Sequence, residues 1–350
     1  MTFKTPYSSF CLNGFPQGCK HCVKGEKLVL FISGKCNRNC WYCSLSNKRK
    51  NKDVIWANER KIKNSKELIE EAIESNATSA GITGGDPLLF MERTIEYTKA
   101  LKQKFGKRFH IHIYLPTQNL TENRLKQLSK YIDEVRFHPE FLIDKNSVDN
   151  DIEKIKIALN FWKKENIGIE LPMIPDKKQE ILDFIIKISP LIGFVNLNEF
   201  ELSETNSELI TRNYLLNEGG YTIKGSREAG LWILEELKKL GTGLKIHICT
   251  AELKNNHQFK NRLLKHKILP YGKRTKDGTV LYLITKYNKE NQLKDLIKNL
   301  DKNQFYIDKK KQRILLSNSL ANKLLAKKYK IILVEEFPTY DRLETETKNL

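Results

Sequence analysis

Residues 28–44 of the chain read LVLFISGKCNRNCWYCS, and this stretch decides how the rest of the sequence is interpreted. It opens with an apolar run at residues 28–32 that is typical of a buried strand. Three cysteines follow at the spacing C-x3-C-x2-C, namely Cys36, Cys40 and Cys43. Three thiolates on one loop can hold an iron–sulfur cluster or a zinc ion, and they leave one coordination position for another ligand. A zinc knuckle or a disulfide pair is the alternative that the loop alone leaves open.

The length and charge of the chain limit the possible partners. Its 350 residues suffice for one large α/β domain with a small appendage, or for two ordinary domains. Lysine and arginine outnumber aspartate and glutamate by 61 to 42, a formal net charge of +19. Such a charge attracts nucleic acid, acidic protein or anionic lipid. Lysines spread over every helix are equally typical of a solvated surface, so the charge can also be merely compositional.

The N-terminal residues lack the apolar region of a signal peptide, and no apolar run is long enough to cross a bilayer. We therefore expect a cytoplasmic protein without a membrane partner. In that reducing compartment the seven cysteines are expected to be thiols and metal ligands, not disulfides.

Apolar runs of strand length alternate with segments of helical period between residues 27 and 252. The runs predict seven strands, at residues 28–32, 79–83, 109–115, 134–137, 167–173, 194–197 and 244–248. Four amphipathic helices are clearest, at residues 64–73, 91–101, 152–162 and 229–240. Repeated βα units with apolar strands favour a parallel sheet covered by helices, of the partial (β/α)6 TIM-barrel type. A doubly wound open sheet is the alternative, although a cysteine loop stands where such a fold has its glycine-rich phosphate loop.

The alternation of strands and helices is not continued on either side of this region. Residues 1–26 are predicted to form an irregular, cysteine-containing segment because they carry scattered glycine and proline and little periodicity. Residues 253–350 are predicted to form a small basic α+β domain. Its elements are expected at residues 279–286, 292–300, 304–308, 313–317, 320–327 and 331–335, which is the βαββαβ order of the ferredoxin-like pattern.

A second motif, Gly84-Gly85-Asp86-Pro87, follows the second predicted strand. The two glycines permit a close backbone approach, and Asp86 offers a carboxylate to a cation. Since the carboxyl ends of barrel strands meet at one face, this turn is expected beside the cysteine loop.

The two motifs together resemble those of the radical S-adenosylmethionine (radical SAM) enzymes, over about residues 27–250. The resemblance implies that Cys36, Cys40 and Cys43 bind three irons of a [4Fe-4S] cluster, whose fourth iron chelates the methionine end of SAM. The resemblance also places the aromatic Tyr42 near the adenine of SAM. It implies that Gly84, Gly85 and Asp86 bind the amino group of SAM. The family motif has glutamate where this chain has Asp86, although a Gly-Gly-Asp-Pro version also occurs in the superfamily.

The resemblance also implies an activity and a partner. Reductive cleavage of SAM would give a 5′-deoxyadenosyl radical that abstracts hydrogen from a substrate, with electrons from a low-potential donor of the flavodoxin or ferredoxin type. The resemblance places the chain near the activating-enzyme-like branch, alongside archaeal proteins similar to pyruvate formate-lyase activating enzyme. Neither motif specifies the substrate.

Further polar residues could complete a site. Asn196 and Asn198, at the end of the sixth strand, suit the ribose hydroxyls of SAM or a polar substrate. Four cysteines remain outside the loop, and they are enough for a second iron–sulfur cluster or a zinc ion: Cys11, Cys19, Cys22 and Cys249. Free buried cysteines are the alternative.

Three functions remain open at this point. The first is a radical SAM enzyme acting on a macromolecule, RNA or protein, because the chain is basic and carries an extra module. The second is a radical SAM enzyme acting on a small metabolite or cofactor precursor. The third is a zinc- or cluster-stabilised nucleic-acid-binding protein in which the cysteines are structural.

Overall fold

A computed structural model describes residues 4–298 and 300–350. Contacts divide it into two units. The first comprises the described residues up to Ile73 together with Ala77–Phe259, and the second comprises Glu74–Asn76 and Lys260–Leu350.

One sheet organises the first unit. Its strands are β1 (Phe10–Leu12), β2 (Lys27–Phe31), β3 (Ile55–Ala57), β4 (Arg60–Ile62), β5 (Ser79–Thr83), β6 (His110–Pro116), β7 (Glu134–His138), β8 (Ile167–Met173), β9 (Phe194–Glu199) and β10 (Lys245–Cys249). Their order in the sheet is β1-β10-β9-β8-β7-β6-β5-β2-β3-β4. The pairs from β2 through β5 to β10 are all parallel, whereas β1 and β3 add antiparallel to the ends of this parallel run.

Helices alternate with the parallel strands. The helices of this unit are α1 (Gln17–Val23), α2 (Ser65–Glu74), α3 (Met91–Phe105), α4 (Glu122–Leu128), α5 (Val148–Lys156), α6 (Lys178–Ile188), α7 (Ser207–Asn213), α8 (Ser226–Lys239) and α9 (Ala251–Leu253). Each parallel strand pairs with the next along the chain, so every crossover moves the same way around the sheet. A doubly wound sheet reverses this direction once. The partial-barrel prediction is therefore confirmed, with seven parallel strands in an open sheet.

Local sequence explains why these elements form. Leu28 and Leu30 of β2 are fully buried, as expected of a parallel strand covered on both faces. The predicted start of α2 is also observed, because the Asn64 Oδ1 accepts a 3.0 Å hydrogen bond from the Glu67 N–H. The helix predicted at residues 152–162 is shorter, since α5 ends at Lys156 and a 3₁₀ turn follows it.

The N-terminal segment differs from the prediction. Residues 1–3 lie outside the described residues, but the remainder is not irregular, because it forms β1 and α1. Both elements are too short to show a periodicity. The strand exists because it pairs with β10, and α1 lies against the barrel interior where Gly18 has no side chain to obstruct it. A Cβ at Gly18 would lie 2.6 Å from the His112 Nδ1.

The second unit is a mixed α+β fold. It contains α10 (Lys260–Lys265), β11 (Lys273–Arg274), β12 (Val280–Lys286), α11 (Glu290–Ile297), β13 (Phe305–Asp308), β14 (Arg313–Leu316), α12 (Asn318–Ala326), β15 (Ile332–Glu336) and β16 (Glu344–Asn349). The sheet order is β13-β14-β12-β15-β16, and all of its pairs are antiparallel.

The elements from β12 to β15 have the predicted βαββαβ order. Strands β11 and β16 are additions that the sequence did not predict. The helix predicted at residues 292–300 includes residue 299, which lies outside the described residues. Among the described residues, no helix combines the length and the apolarity needed to cross a bilayer.

Candidate active site

A cavity of about 370 Å³ lies at the C-terminal ends of the barrel strands and extends between them. Its wall includes most of the residues predicted for the site: Cys36, Cys40, Tyr42, Cys43, Gly84, Gly85, Asn196 and Asn198. Asp86 is not among the described residues that line it. This volume is at the lower end of the range for small-molecule sites.

Backbone hydrogen bonds join the cysteine loop to the Gly-Gly turn. The Gly85 N–H donates to the Ser33 carbonyl over 2.7 Å, and the Asp86 N–H donates to the Lys35 carbonyl over 2.9 Å. A Cβ at Gly85 would lie 2.3 Å from the Lys35 oxygen and 2.9 Å from the Cys36 Cβ. Only glycine fits here without displacing the loop.

The Asp86 carboxylate is buried and engaged by its neighbours. Its Oδ1 accepts from the Leu88 N–H over 2.8 Å, which caps the turn that follows, and its Oδ2 accepts from the Asn119 amide over 2.7 Å. Burial raises the pKa of this carboxyl, although the Asn119 hydrogen bond opposes the shift. Asp86 therefore holds the turn in place.

Arg38 anchors the middle of the cysteine loop to the end of β7. Its guanidinium donates to the His138 carbonyl over 2.6 Å and to the Pro139 carbonyl over 2.8 Å. Arg38 was not identified from the sequence. Its position between two cysteines was the available signal, because an arginine there can hold a loop and offset thiolate charge.

The far side of the loop is held by the segment after β9. The Thr205 hydroxyl donates to the Leu45 carbonyl over 2.6 Å and to the Cys43 carbonyl over 3.2 Å. The Asn206 amide donates to the Tyr42 carbonyl over 3.4 Å. No motif marked this segment in the sequence.

The two aromatics of the loop have different surroundings. The Trp41 ring stacks parallel to the Tyr214 ring at 6.2 Å and meets the Phe200 ring edge-on at 5.8 Å. Tyr42 lines the cavity, and burial raises the pKa of its phenol. Trp41 therefore fixes the loop to the barrel, while Tyr42 forms part of the cavity wall.

The thiols of the loop have the chemistry that an iron–sulfur cluster requires. Burial raises the pKa of Cys36 and of Cys40, so a metal must displace their protons on binding. Over the described part of the chain, no three cysteine sulfurs lie within 4.8 Å of one another. A zinc ion with sulfur bonds of about 2.3 Å would hold its sulfurs about 3.8 Å apart. The three sulfurs therefore lie farther apart in this metal-free structure than in a closed zinc site.

Below the loop, the barrel interior contains a charged network around Arg136. The guanidinium donates to the Glu134 Oε1 over 2.6 and 2.8 Å and to the Glu170 Oε2 over 3.0 Å. Burial by itself raises the pKa of Glu170, but the neighbouring Arg136 lowers it below its usual value overall. The sequence showed Arg136 only as a polar residue near the end of an apolar strand.

The two asparagines belong to this network. The Asn198 amide donates to the Glu170 Oε1 over 2.8 Å. The Asn196 Oδ1 lies 2.7 Å from the His247 Nδ1 and 3.5 Å from the Cys19 sulfur. Both line the cavity, but each already has a protein partner.

The other cysteines divide into two groups. Cys19, Cys22 and Cys249 are buried and line the same cavity as the cysteine loop. Cys11 is half-buried on β1 and is not among the described lining residues. The structure thus brings three of these four cysteines to the wall of one cavity.

Comparison with known proteins supports these observations. A sequence profile described as the Radical SAM superfamily matches residues 30–187, which include both motifs. The chain is 38% identical to a protein of Methanocaldococcus jannaschii that is provisionally named a glycyl-radical enzyme activating enzyme. That alignment covers 95% of this chain and 92% of the relative.

Solved structures also resemble the chain. Streptococcus suis SuiB bound to S-adenosylmethionine matches with a TM-score of 0.44 and 16% identity, over 67% of this chain and 52% of SuiB. The chain thus spans about half the length of SuiB. Coproporphyrinogen III oxidase from Escherichia coli, described as a radical SAM enzyme, matches with a TM-score of 0.38 and 11% identity, over 68% of this chain and 58% of that one. Given the profile match and the relative that aligns along almost the whole chain, this protein belongs to the radical SAM superfamily and is a radical SAM enzyme.

Proposed function

We propose that this radical SAM enzyme is an activating enzyme, and that its substrate is a glycyl-radical enzyme. The observation that carries the proposal is the 38% identity, along nearly the whole chain, to a relative provisionally named for that activity. A protein substrate agrees with the first of the three functions that the sequence left open. RNA is favoured by the net charge, which has a compositional explanation, and by the extra module, which suits a protein substrate equally well.

The roles of individual residues follow from their positions in the cavity. Cys36, Cys40 and Cys43 would hold the [4Fe-4S] cluster that the family implies. Gly84 and Gly85 would present backbone groups to SAM, Tyr42 would pack against its adenine, and Asn196 and Asn198 would contact its polar groups. Asp86 would act as a positioning residue, because its carboxylate caps the turn.

When bound, the cluster and SAM supply one-electron chemistry that breaks a C–S bond of SAM and leads to hydrogen abstraction from the substrate. The protein orients both groups and excludes water. Arg38 and the segment at residues 203–206 keep the cysteine loop in position. The backbone hydrogen bond of Gly85 keeps the Gly-Gly turn, which is assigned to SAM, against that loop. Rigid placement of this kind is what holds a reactive group close to its target.

The electron is proposed to come from a flavodoxin- or ferredoxin-type donor. Such donors are acidic, and a chain with a net charge of +19 would attract one over long range. Association with the donor should therefore weaken as the salt concentration rises.

Anaerobic reconstitution with iron and sulfide tests the proposal. We expect the wild type, with SAM and dithionite, to yield 5′-deoxyadenosine, and the Cys40→Ala variant to yield almost none. Cys11→Ala is the matched control, because Cys11 lies outside the cavity lining, and it should behave as the wild type does. No 5′-deoxyadenosine from the wild type, or equal amounts from Cys40→Ala, would overturn the assignment of the cysteine loop.

The substrate class needs a second measurement. The reconstituted enzyme is incubated with SAM, reductant and a glycyl-radical enzyme purified from the same organism, and the mixture is examined by EPR. We expect a doublet that labelling with [2,2-²H2]glycine collapses to a narrower signal. Production of 5′-deoxyadenosine without a radical on the partner would retain the radical SAM chemistry but reject the activating role.

A further inference from the structure

Three thiols outside the cysteine loop lie together on the cavity wall. Cys19 and Cys22 are on one face of α1, and Cys249 is the last residue of β10. Their exposed fractions are 4%, 9% and 6%. Cys22 is close enough to each of the other two for their charges to interact. Two elements far apart in the sequence thus bring three sulfurs to one part of the barrel.

Each of these sulfurs has a cationic side chain beside it. The Arg136 Nη2 donates to the Cys19 sulfur over 3.4 Å. Lys27 interacts electrostatically with Cys22, and Lys254 does so with Cys249. All three cations line the cavity. Burial raises the pKa of Cys19 and of Cys249, and Arg136 and Lys254 oppose part of that shift, so each cation favours the thiolate that a bound metal would stabilise.

Three carboxylates of the barrel contact two of these three cations, and none of them contacts Lys27. Arg136 is paired with Glu134 and Glu170, and the Lys254 Nζ lies 2.6 Å from the Glu201 carboxylate. Within the described chain, no carboxylate oxygen lies within 4.0 Å of the Lys27 Nζ. A positive charge in a protein interior needs an anionic partner. Thiolates bound to a metal centre would provide it.

We propose that Cys19, Cys22 and Cys249 hold a second iron–sulfur cluster, separate from the one assigned to the cysteine loop. A [4Fe-4S]²⁺ core with three thiolates carries a single net negative charge, which would offset the charge of Lys27. In the described part of the metal-free chain no three cysteine sulfurs come within 4.8 Å of one another, which is wider than the sulfur spacing of a bound zinc ion. Cys11 is not a ligand, since it lies at the sheet edge outside the cavity lining.

This second cluster would leave one iron without a cysteine ligand. That iron would be accessible from the cavity that the three thiols line, and a donor atom of a ligand or substrate could bind it. Cations near the sulfurs would also raise the reduction potential of the cluster, because they stabilise its more negative reduced form. The proposal goes beyond the proposed function, and it does not depend on the substrate being a protein.

A variant that lacks the loop thiols isolates the second site. The full chain carrying Cys36→Ala, Cys40→Ala and Cys43→Ala is reconstituted anaerobically, and iron and acid-labile sulfide are measured per chain. We expect about four irons and four sulfides, with a [4Fe-4S] Mössbauer signature. Adding Cys22→Ala should remove at least three quarters of this iron, whereas adding Cys11→Ala, the matched control, should leave it unchanged.

The same measurements separate this proposal from the previous one. If the wild type binds about four irons and the triple variant none, the second cluster is rejected and the first stands. If the wild type and the triple variant each bind about four irons per chain, the second cluster stands and the assignment of the first cluster to the cysteine loop is rejected. Zinc without iron in the triple variant, or iron that survives Cys22→Ala, overturns the second cluster.

Lys27 provides a test that leaves every ligand in place. Lys27→Gln in the triple variant should retain the iron and shift the reduction potential to more negative values, because a cation beside the cluster is lost. Lys24→Gln, at an exposed position nearby, is the control and should leave the potential unchanged. Equal potentials for Lys27→Gln and the triple variant itself would contradict a cluster beside Lys27.

Discussion

The Gly85 N–H donates to the Ser33 carbonyl over 2.7 Å, so the two sequence motifs of this enzyme are one backbone unit. This bond continues the parallel pairing of β2 and β5 beyond the last paired residues of those strands, Phe31 and Thr83. The start of the cysteine loop is consequently fixed by the turn that follows the neighbouring strand. A substitution in the Gly-Gly turn should therefore displace the cysteine loop, and a substitution in the loop should displace the turn.

Substitution of Gly85 by alanine tests that relationship. The added Cβ would lie 2.3 Å from the Lys35 oxygen, so the loop must shift, and we expect a loss of about 1–3 kcal/mol in stability. The affinity of the reconstituted enzyme for SAM, measured by equilibrium dialysis, should fall at least tenfold. Gly243→Ala is the control, because a Cβ there meets nothing within 4 Å and should change neither quantity. Unchanged SAM affinity in Gly85→Ala would contradict the coupling of the two motifs.

Arg38 should prove as important to the loop as the cysteines are to the metal. Arg38→Gln removes two hydrogen bonds from a charged donor to backbone carbonyls, a loss of about 1.5–3 kcal/mol of local stability. We expect iron to be lost to a chelator several times faster than from the wild type, measured by the absorbance of the iron complex. Arg212→Gln breaks only an exposed pair with Glu208 and serves as the control. Equal rates in both variants would mean that Arg38 does not hold the loop.

That the two motifs lie side by side could be predicted from the sequence alone. The cysteine loop and Gly84-Gly85 each follow an apolar strand, and parallel strands of a barrel end at one face. That rule is sufficient to place the two motifs side by side. Arg38 and Thr205 could not be found this way, because their partners are backbone carbonyls of distant segments that carry no recognisable motif.

The cysteines outside the loop show the limit of spacing arguments. Cys19 and Cys22 could be recognised as a pair from their spacing, whereas Cys11 was grouped with them only as one of the four remaining cysteines. What separates them is the pairing of β1 with β10, which leaves Cys11 at the edge of the sheet, while α1 carries Cys19 and Cys22 to the cavity. Neither element has enough residues to be detected by periodicity. Only the tertiary contacts separate Cys11 from Cys19 and Cys22.

The second unit contains a buried ion network that should dominate its stability. Arg313 is almost fully buried and donates to Asp308 over 2.8 Å and to Glu336 over 2.7 Å. Arg313→Ala leaves two buried carboxylates without this partner, which costs about 3–5 kcal/mol. We expect a lowered unfolding temperature for this unit in calorimetry. Arg212→Ala, which removes an exposed arginine, should cost less than about 1 kcal/mol. Similar losses in the two variants would show that the network contributes little.

Acid should destabilise the metal-free barrel through its buried histidines. Burial, with Arg136 close by, lowers the pKa of His247 to about 3, and burial lowers that of His138 to about 4. In the unfolded chain each titrates near about 6.5, so between roughly pH 6.5 and pH 4 the unfolded state binds protons that the folded state does not. Stability is therefore complete above this range and falls as the pH drops, by about 1.4 kcal/mol per pH unit for each histidine.

The variant His247→Gln removes one of these groups and makes the effect measurable. The free energy of unfolding in urea, determined at several pH values across the same range, should fall less steeply in the variant, by about 1.4 kcal/mol per pH unit. The glutamine also removes the hydrogen bond to Asn196, so the variant should be less stable at neutral pH. Only the slope reports titration, because a lost hydrogen bond lowers stability equally at each pH. Parallel curves for the wild type and His247→Gln would show that folding does not lower the pKa of His247, contrary to its buried position.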